Sequence, residues 1–134
     1  MLTVNNYLAR AGEFRVASEI LRRGAEVYMT VTNSSIDLVM GNGNKIQVKA
    51  ASRNERPIYT FSFKSWRKDK GSLKHSPHLL EEIDFVILWG SNTDLFLIVP
   101  APLIRGKQTL HIPLGGLSKW LGYKDRWDLL FSPK

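Results

Sequence analysis

The period of the hydrophobic pattern changes at Gly24, and this change constrains the fold more than any other feature of the sequence. Before Gly24, apolar residues recur at spacings of three, four and seven, which predicts an amphipathic helix from Asn5 or Asn6 to about Arg23. The apolar residues of this helix are Ala9, Val16, Ala17 and Ile20. After Gly24, apolar and polar residues alternate with a period of two, which is typical of strands. The chain therefore starts with a helix that packs against a sheet.

Six segments have the alternation or the apolar content of strands. They are residues 27–31, 36–40, 45–50, 57–63, 85–89 and 95–99. The last two are strongly apolar, so we expect them at the centre of the sheet. We also predict a helical turn at residues 79–82, a short helix near residues 117–121 and an amphipathic stretch at residues 127–131. No linker or repeat divides the 134 residues, so we expect a single domain over residues 1–134.

A stretch rich in glycine and asparagine, residues 41–44, separates the second and third predicted strands and is typical of a hairpin. A two-residue loop would place Asp37 opposite Val48, on the apolar face of the third strand. A loop of three residues, or a bulge, would instead place Asp37 beside Gln47 or Lys49. The pairing register therefore decides whether these polar residues share one face of the sheet.

The composition excludes several classes of function. Because the chain has no cysteine, it has no disulfide, no thiolate nucleophile and no cysteine-ligated zinc. Residues 1–10 include polar residues and no sustained apolar stretch, unlike a secretory signal, so we expect an intracellular, cytoplasmic protein. Polar residues and prolines interrupt the most apolar region, residues 85–104, so we expect no membrane span. Lysine and arginine number 19 against 12 acidic residues, and the net charge of +7 favours a polyanionic partner such as nucleic acid.

Four polar residues point to chemistry at one edge of the predicted sheet. Glu13 falls within the apolar stripe of the helix, so its carboxylate needs a cation, a metal or a donor; the alternative is a stripe-edge position that reaches solvent or an arginine. Asp37 lies in the second strand, and Gln47 and Lys49 share a face of the third. Carboxylate and amide oxygens suit Mg²⁺ or Mn²⁺, and a nearby ammonium can position water, so these groups support phosphodiester hydrolysis.

These residues resemble the motif of the PD-(D/E)XK nuclease superfamily, which includes restriction enzymes, Holliday-junction resolvases and homing endonucleases. The similarity covers roughly residues 12–63. Residues 12–17 resemble the first helix of the family, Ser35-Ile36-Asp37 resembles its PD element, and Gln47-Val48-Lys49 resembles its (D/E)XK element. The resemblance implies an α/β, restriction-endonuclease-like fold in which helices flank a mixed β-sheet core.

The resemblance also implies a role for each residue. Asp37, Gln47, Glu13 and the carbonyl of Val48 would hold Mg²⁺ or Mn²⁺, and Lys49 would orient the attacking water. The implied activity is that of a Mg²⁺-dependent endodeoxyribonuclease with DNA as its substrate. Nucleases of this size usually act as homodimers or higher homo-oligomers, so the resemblance implies a second copy of the chain as a partner.

Gln47 departs from the acidic residue that usually stands at this position of the motif. The loss of one negative charge should weaken metal binding unless Glu13 supplies the missing carboxylate. An alternative is therefore a catalytically weak or inactive nucleic-acid-binding domain on the same scaffold. A third hypothesis, a partner-binding module without nucleic acid, is favoured by the exposed character expected of Trp120 and Trp127.

A basic segment with interleaved aromatic residues follows Lys49 directly. We expect its cations to neutralise backbone phosphates around the site, although a solvated loop is the alternative for any single member. The cations are Arg53, Arg56, Lys64, Arg67, Lys68, Lys70 and Lys74, with Tyr59 and Trp66 among them.

Overall fold

The structure is a computed structural model, and it describes residues 4–31, 35–53, 55–63, 82–116 and 118–131. In this part of the chain, helix α1 (Val4–Arg22) comes first and a short helix, α2 (Asp128–Phe131), comes last. Two 3₁₀ helices span Ala101–Leu103 and Lys119–Tyr123. The strands are β1 (Val27–Met29), β2 (Leu38–Met40), β3 (Lys45–Ala51), β4 (Ile58–Ser62), β5 (Phe85–Gly90), β6 (Leu95–Pro100) and β7 (Thr109–Pro113).

Five of these strands form a mixed sheet in the order β1-β2-β3-β5-β6. β3 and β5 run parallel, and the other neighbours in this sheet are antiparallel. β4 and β7 form a separate antiparallel ribbon. Because parallel neighbours need a long crossover connection, β4 is part of the segment that joins β3 to β5. The fold is thus α/β with a mixed sheet and flanking helices, which confirms the expected fold class.

Each face of the mixed sheet is covered by a different layer. α1 and α2 cover one face, where Ile20 and Leu130 pack with Ile87 of β5. The β4/β7 ribbon covers the other face, where Tyr59 and Leu110 are in the same buried cluster as further residues of β5. This explains why β5 is apolar along almost its whole length, since a strand covered on both faces has no side open to solvent.

The β2/β3 hairpin has a three-residue loop. Leu38 pairs with Ile46 and Val39 with Lys45, and the N–H of Asp37, the residue before β2, donates to the Ile46 carbonyl oxygen at 2.9 Å, next to Gln47. The Met40 N–H donates to the Asn44 carbonyl oxygen at 2.9 Å, which closes the loop. Gly43 has φ 95°, a left-handed conformation that three-residue hairpin loops commonly require and that glycine adopts without steric cost. Of the two predicted registers, the structure confirms the one that brings the polar residues together.

Most predicted elements are present, with shorter ends. α1 ends at Arg22, one residue before the predicted end, and Gly24 is left-handed at φ 87°. The prediction that Ala9 faces the core is wrong, because this residue is exposed; the buried stripe begins at Gly12 and continues through Val16. In this part of the helix the partly buried residue that packs against the core is Leu8, one position before Ala9, so periodicity alone misplaced this end of the buried face.

Three further predictions need correction. β7 was not predicted, because its sequence, Thr-Leu-His-Ile-Pro, is short and ends in proline. β6 lies at the edge of the sheet rather than at its centre, although it is buried because the 3₁₀ helix Lys119–Tyr123 packs against it. Trp127 is only 3% exposed and contacts the Phe96 ring, so it offers no free surface to a partner. Trp120 is partly buried against the ribbon side of the core.

Residues 64–81, which include most of the predicted helical turn at residues 79–82, lie outside the described residues. Within the described ranges, no helix is both long enough and apolar enough to cross a membrane.

Candidate active site

The close packing of α1 on the sheet begins with a glycine. A Cβ atom at Gly12 would lie 3.1 Å from Cε3 of Trp89 and 3.2 Å from Cβ of Ala50. A larger residue would therefore push the helix away from β3 and β5. Because Gly12 permits this approach, the next residue, Glu13, is held close to the sheet, and its side chain is only 17% exposed.

Asp37 is fixed by the backbone of β3 on both sides of Gln47. Its N–H donates to the Ile46 carbonyl oxygen at 2.9 Å, and its Oδ2 accepts the Val48 N–H at 2.8 Å. The pKa of Asp37 is raised to about 7, chiefly by burial and also by the neighbouring Glu13 carboxylate, while the hydrogen bond from the Val48 N–H opposes the shift. A half-buried carboxylate that is costly to ionise is a place where a bound cation would be strongly stabilised.

Gln47 and Lys49 extend from the same face of β3. Gln47 is 5% exposed, and within the described residues its Oε1 has no hydrogen-bond partner. A buried amide oxygen without a partner costs about 1–3 kcal/mol, so this atom is suited to a ligand that the protein itself does not supply. Burial lowers the pKa of the Lys49 ammonium, and the nearby Asp37 carboxylate opposes that shift.

The predicted site residues share one cavity of about 490 Å³. It lies between α1, β2, β3 and β4, and the predicted residues among its lining are Glu13, Asp37, Gln47, Val48 and Lys49. The structure therefore brings together every member of the predicted catalytic set. Thr60 and Ser62 of β4 also line the cavity, and the sequence analysis did not select them. The alternation of β4 could have indicated these two residues. Tyr59 and Phe61 lie on its apolar face, so Thr60 and Ser62 lie on its polar face.

The donors around this cavity fit a hard divalent ion. Two carboxylates, from Asp37 and Glu13, and the unpartnered amide oxygen of Gln47 are the ligand types that Mg²⁺ and Mn²⁺ prefer. Among the residues that the structure describes, no three His, Cys, Asp or Glu side chains lie together. The site thus offers two acidic groups and one neutral amide oxygen as donors.

Glu13 pairs with an arginine, which is the arrangement that the sequence offered as the alternative to a buried carboxylate. Its Oε1 accepts a hydrogen bond from Arg10 Nη1 at 2.6 Å, and the Arg10 guanidinium lies 5.0 Å from the centre of the Phe14 ring. The carboxylate nevertheless remains in the lining of the cavity. The ion pair offsets the cost of this carboxylate in the absence of another cation.

The predicted phosphate-binding residues are only partly described. Arg56 is exposed and lines a second cavity beside the first, and the Arg53 N–H donates to Oδ1 of Asn92 at 2.7 Å. The remaining cations lie outside the described residues; they are Lys64, Arg67, Lys68, Lys70 and Lys74.

An α/β core that places Asp37, just before β2, and the Gln47-Val48-Lys49 run of the adjacent strand β3 around one cavity is the arrangement expected of a PD-(D/E)XK nuclease. A family model described as PD-(D/E)XK endonuclease matches residues 5–115, and the chain belongs to this family.

Solved structures give an independent comparison of the fold. The bacterial homing endonuclease I-Ssp6803I is similar to this chain with a TM-score of 0.73 and 18% sequence identity, over 97% of this chain and 92% of that chain. At this level of identity the similarity shows a shared fold. A search of curated protein sequences gives no significant match. Family and fold together confirm the resemblance drawn from the sequence.

Proposed function

We propose that the protein is a metal-dependent DNA endonuclease, with Mg²⁺ or Mn²⁺ as its cofactor and water as the nucleophile. Membership of an endonuclease family supports the reaction class. The observation that carries the proposal is the buried Oε1 of Gln47, which has no hydrogen-bond partner among the described residues and belongs to a side chain that lines one cavity together with Asp37 and Lys49. A buried oxygen acceptor beside a carboxylate is suited to a cation.

The residues of the cavity divide into two roles. Asp37, Gln47 and Glu13, with the carbonyl of Val48 as a further donor, would hold the ion. When bound, such an ion lowers the pKa of water and neutralises charge on the phosphate. Lys49 would orient the attacking water and stabilise the charge that develops on the phosphate oxygens. Its buried position strengthens both effects, because electrostatic interactions are weakened less where solvent is excluded.

The second candidate function is DNA binding without catalysis on the same scaffold. The observation that favours it is the neutral side chain of Gln47 at the position where the motif of the family has an acidic residue. This hypothesis requires DNA binding that does not depend on a divalent ion and no nicking at any metal concentration.

The proposal predicts that Lys49→Met greatly slows DNA cleavage. Supercoiled plasmid and a four-way junction are incubated with Mg²⁺, Mn²⁺ or a chelator, and nicked product is measured over time. We expect metal-dependent cleavage by the wild type and a loss of about 10²-fold or more in Lys49→Met, because a positioned charge that stabilises the transition state is removed.

Lys45→Met is the matched control for this experiment. Lys45 lies on the same strand and the same face as Lys49, but it is not among the residues that line the cavity. We expect this variant to retain cleavage. Equal rates for Lys49→Met and the wild type would contradict the assigned role of Lys49, and binding without cleavage by the wild type would support the second candidate function.

A second prediction concerns the charge at position 47. Gln47→Glu adds a carboxylate beside Asp37, so we expect half-maximal cleavage at a Mg²⁺ concentration about tenfold lower than for the wild type. In the absence of metal, the same change should reduce stability, because two buried carboxylates repel each other. The measurement is a Mg²⁺ titration of the cleavage rate, with thermal unfolding in chelator beside it. An unchanged Mg²⁺ dependence would mean that residue 47 is not a ligand.

The proposal includes a homodimer or higher homo-oligomer, because one cavity cuts one strand and a duplex has two. The outer face of α1 supports such an association: Tyr7, Phe14 and Leu21 recur every seven residues, and each is more than half exposed. A light-scattering mass equal to that of one chain, with and without DNA, would contradict this part.

We also propose that the chain acts as one domain over residues 1–134 in the cytoplasm.

A further inference from the structure

The β4/β7 ribbon has one packed face and one polar face. Its register pairs Tyr59 with Ile112 and Thr60 with His111. Tyr59 and Ile112 are fully buried in the core, whereas Thr60 and His111 are exposed on the opposite face. There, Oγ1 of Thr60 and Nδ1 of His111 lie 3.0 Å apart and share a hydrogen bond. The packed face therefore holds a polar cross-strand pair in a fixed position at the surface.

This polar face adjoins the candidate active site. A second cavity, of about 830 Å³, lies beside the catalytic one, and Thr60 and Ser52 line both. The residues that line the second cavity are Ser52, Glu55, Arg56, Ile58, Thr60 and His111. The two cavities together form a groove that leads from Asp37 and Lys49 to His111. A long substrate bound at the catalytic residues would continue along the outer face of the ribbon.

The chemistry of the second cavity suits a nucleic-acid backbone. Arg56 supplies a cation that can pair with a phosphate, and Thr60 and His111 supply neutral polar groups. The Thr60 contact uses Nδ1 of His111, so Nε2 is the ring atom left to face a ligand. Among the described residues of this lining, Glu55 is the single acidic one, and it lies beside Arg56. A two-stranded ribbon also has a width that the major groove of B-form DNA admits.

We propose that the outer face of the β4/β7 ribbon positions duplex DNA beside the catalytic cavity. Arg56 pairs with a backbone phosphate, and the Thr60/His111 pair contacts the duplex next to it. This inference rests on the proposed function, since it assigns the DNA-binding surface of the same enzyme. It makes Arg56, Thr60 and His111 positioning residues, which act on binding rather than on the bond that breaks.

The test compares DNA binding for Arg56→Ala, His111→Ala and Thr60→Val, and cleavage for the first two. Binding of a short mixed-sequence duplex is measured by fluorescence anisotropy in chelator at several salt concentrations, so that no cleavage takes place. For Arg56→Ala we expect an affinity about tenfold lower and a salt dependence that is shallower by about one released counterion. For His111→Ala and Thr60→Val we expect weaker binding with little change in salt dependence. Thr60→Ser, which keeps the hydroxyl group, should bind DNA as the wild type does.

Cleavage measured with Mg²⁺ provides the readout that a structural defect would not reproduce. We expect Arg56→Ala and His111→Ala to require more enzyme for half-maximal single-turnover cleavage, while the rate at saturation stays within about twofold of the wild type; Thr60 also lines the catalytic cavity, so its variants are compared in binding alone. Arg126→Ala is the matched control, because Arg126 is an exposed arginine paired with Asp128 at the start of α2, on the other side of the mixed sheet. This control should bind and cleave as the wild type does.

Two results would overturn the proposal. In one, all three variants bind DNA as Arg126→Ala does; in the other, Arg56→Ala and His111→Ala bind DNA normally but lose the saturating rate. The proposed function fails separately, because a wild type that binds DNA through the ribbon but never cuts it would refute catalysis and leave the binding surface in place.

Discussion

Asp37→Asn is expected to abolish cleavage and, in the same molecule, to make the metal-free protein more stable at pH 8. The loss of cleavage, about 10³-fold or more, follows because the variant removes a charged donor from the proposed metal site. The gain in stability follows because asparagine retains an oxygen that can accept the Val48 N–H but carries no charge into a half-buried position.

The sign of the pH effect follows from the raised pKa of Asp37. The folded protein binds this proton up to about pH 7, whereas the usual pKa of the group is 3.8. Between these two values the folded state binds more protons than the unfolded state, so the stabilising contribution is complete below pH 3.8 and is lost as the pH rises through 7. At about 1.4 kcal/mol for each unit, the loss from this single group amounts to roughly 4 kcal/mol at most.

Urea unfolding in chelator at pH 5 and pH 8 measures this effect. The wild type should lose more stability between the two pH values than Asp37→Asn, and added Mg²⁺ should stabilise only the wild type at pH 8. Asp84→Asn is the matched control, because Asp84 also accepts an N–H of β3, from Lys45 at 2.9 Å, and does not line the cavity. An Asp37→Asn protein that is less stable than the wild type at pH 8 would contradict the account.

The second large effect is expected at Glu19, a carboxylate on α1 that the sequence analysis did not select. It is 6% exposed and accepts hydrogen bonds from Arg15 at 2.7 Å, from Arg23 at 2.6 Å and from Arg22 at 3.1 Å. Arg15 also donates to Asp94 at 2.6 Å, in the turn between β5 and β6. Glu19 thus joins the helix to the sheet through a charged network rather than through apolar packing alone.

Glu19→Ala should lower the free energy of unfolding by about 3 kcal/mol, because it leaves three guanidinium groups without their shared acceptor. The hydrogen bond from Arg15 is the main cause that lowers the pKa of Glu19, from 4.5 to about 2. Because the folded pKa is depressed, the stabilisation is present above pH 4.5 and is lost as the pH falls towards 2. Glu19→Gln should remove most of this acid dependence.

Chemical unfolding between pH 2.5 and pH 7 checks this prediction, with both Glu19 variants and the wild type treated in parallel. Glu26→Gln serves as the control, since Glu26 is exposed and should leave both the stability and its pH dependence nearly unchanged. If Glu19→Ala unfolded within about 0.5 kcal/mol of the wild type at pH 7, the network would have no net stabilising role.

The local elements of the catalytic region could be predicted because their signals are local. The switch of period at Gly24 located α1 and the strands after it, and the glycine-rich loop before Lys45 limited the hairpin to two registers. Either loop is compatible with the local sequence. The choice between the two registers therefore depended on the assumption that Asp37 and Gln47 belong to one site. The structure has the register that this chemical argument favoured.

The remaining part of the fold depends on tertiary contacts, which periodicity does not report. β7 is short and ends at Pro113, and its pairing partner β4 lies far away in the chain. Trp127 has a sequence context that suits a surface residue, but the 4.6 Å contact between Arg23 and its ring, together with Phe96, buries it. Both features arise only when distant segments pack together.

At the candidate site, the sequence identified the motif residues and Glu13 but not the hydroxyl side chains of β4 that line the same cavity. Asp37 and Lys49 belong to a recognisable motif, whereas Thr60 and Ser62 are common strand residues whose role depends on which cavity they line. The same is true of Glu19, which looks like an ordinary surface glutamate until two arginines of α1 and Arg23, just after the end of the helix, are placed around it.

The measurement that tests the central claim most directly is a time course of supercoiled-plasmid cleavage by the wild type and Asp37→Asn, each with Mg²⁺ and with chelator. The account predicts nicked and linear product only for the wild type with Mg²⁺, while both proteins remain folded. Cleavage by Asp37→Asn at the wild-type rate, or wild-type cleavage that persists in chelator, would contradict the assignment of this cavity as the metal-dependent active site.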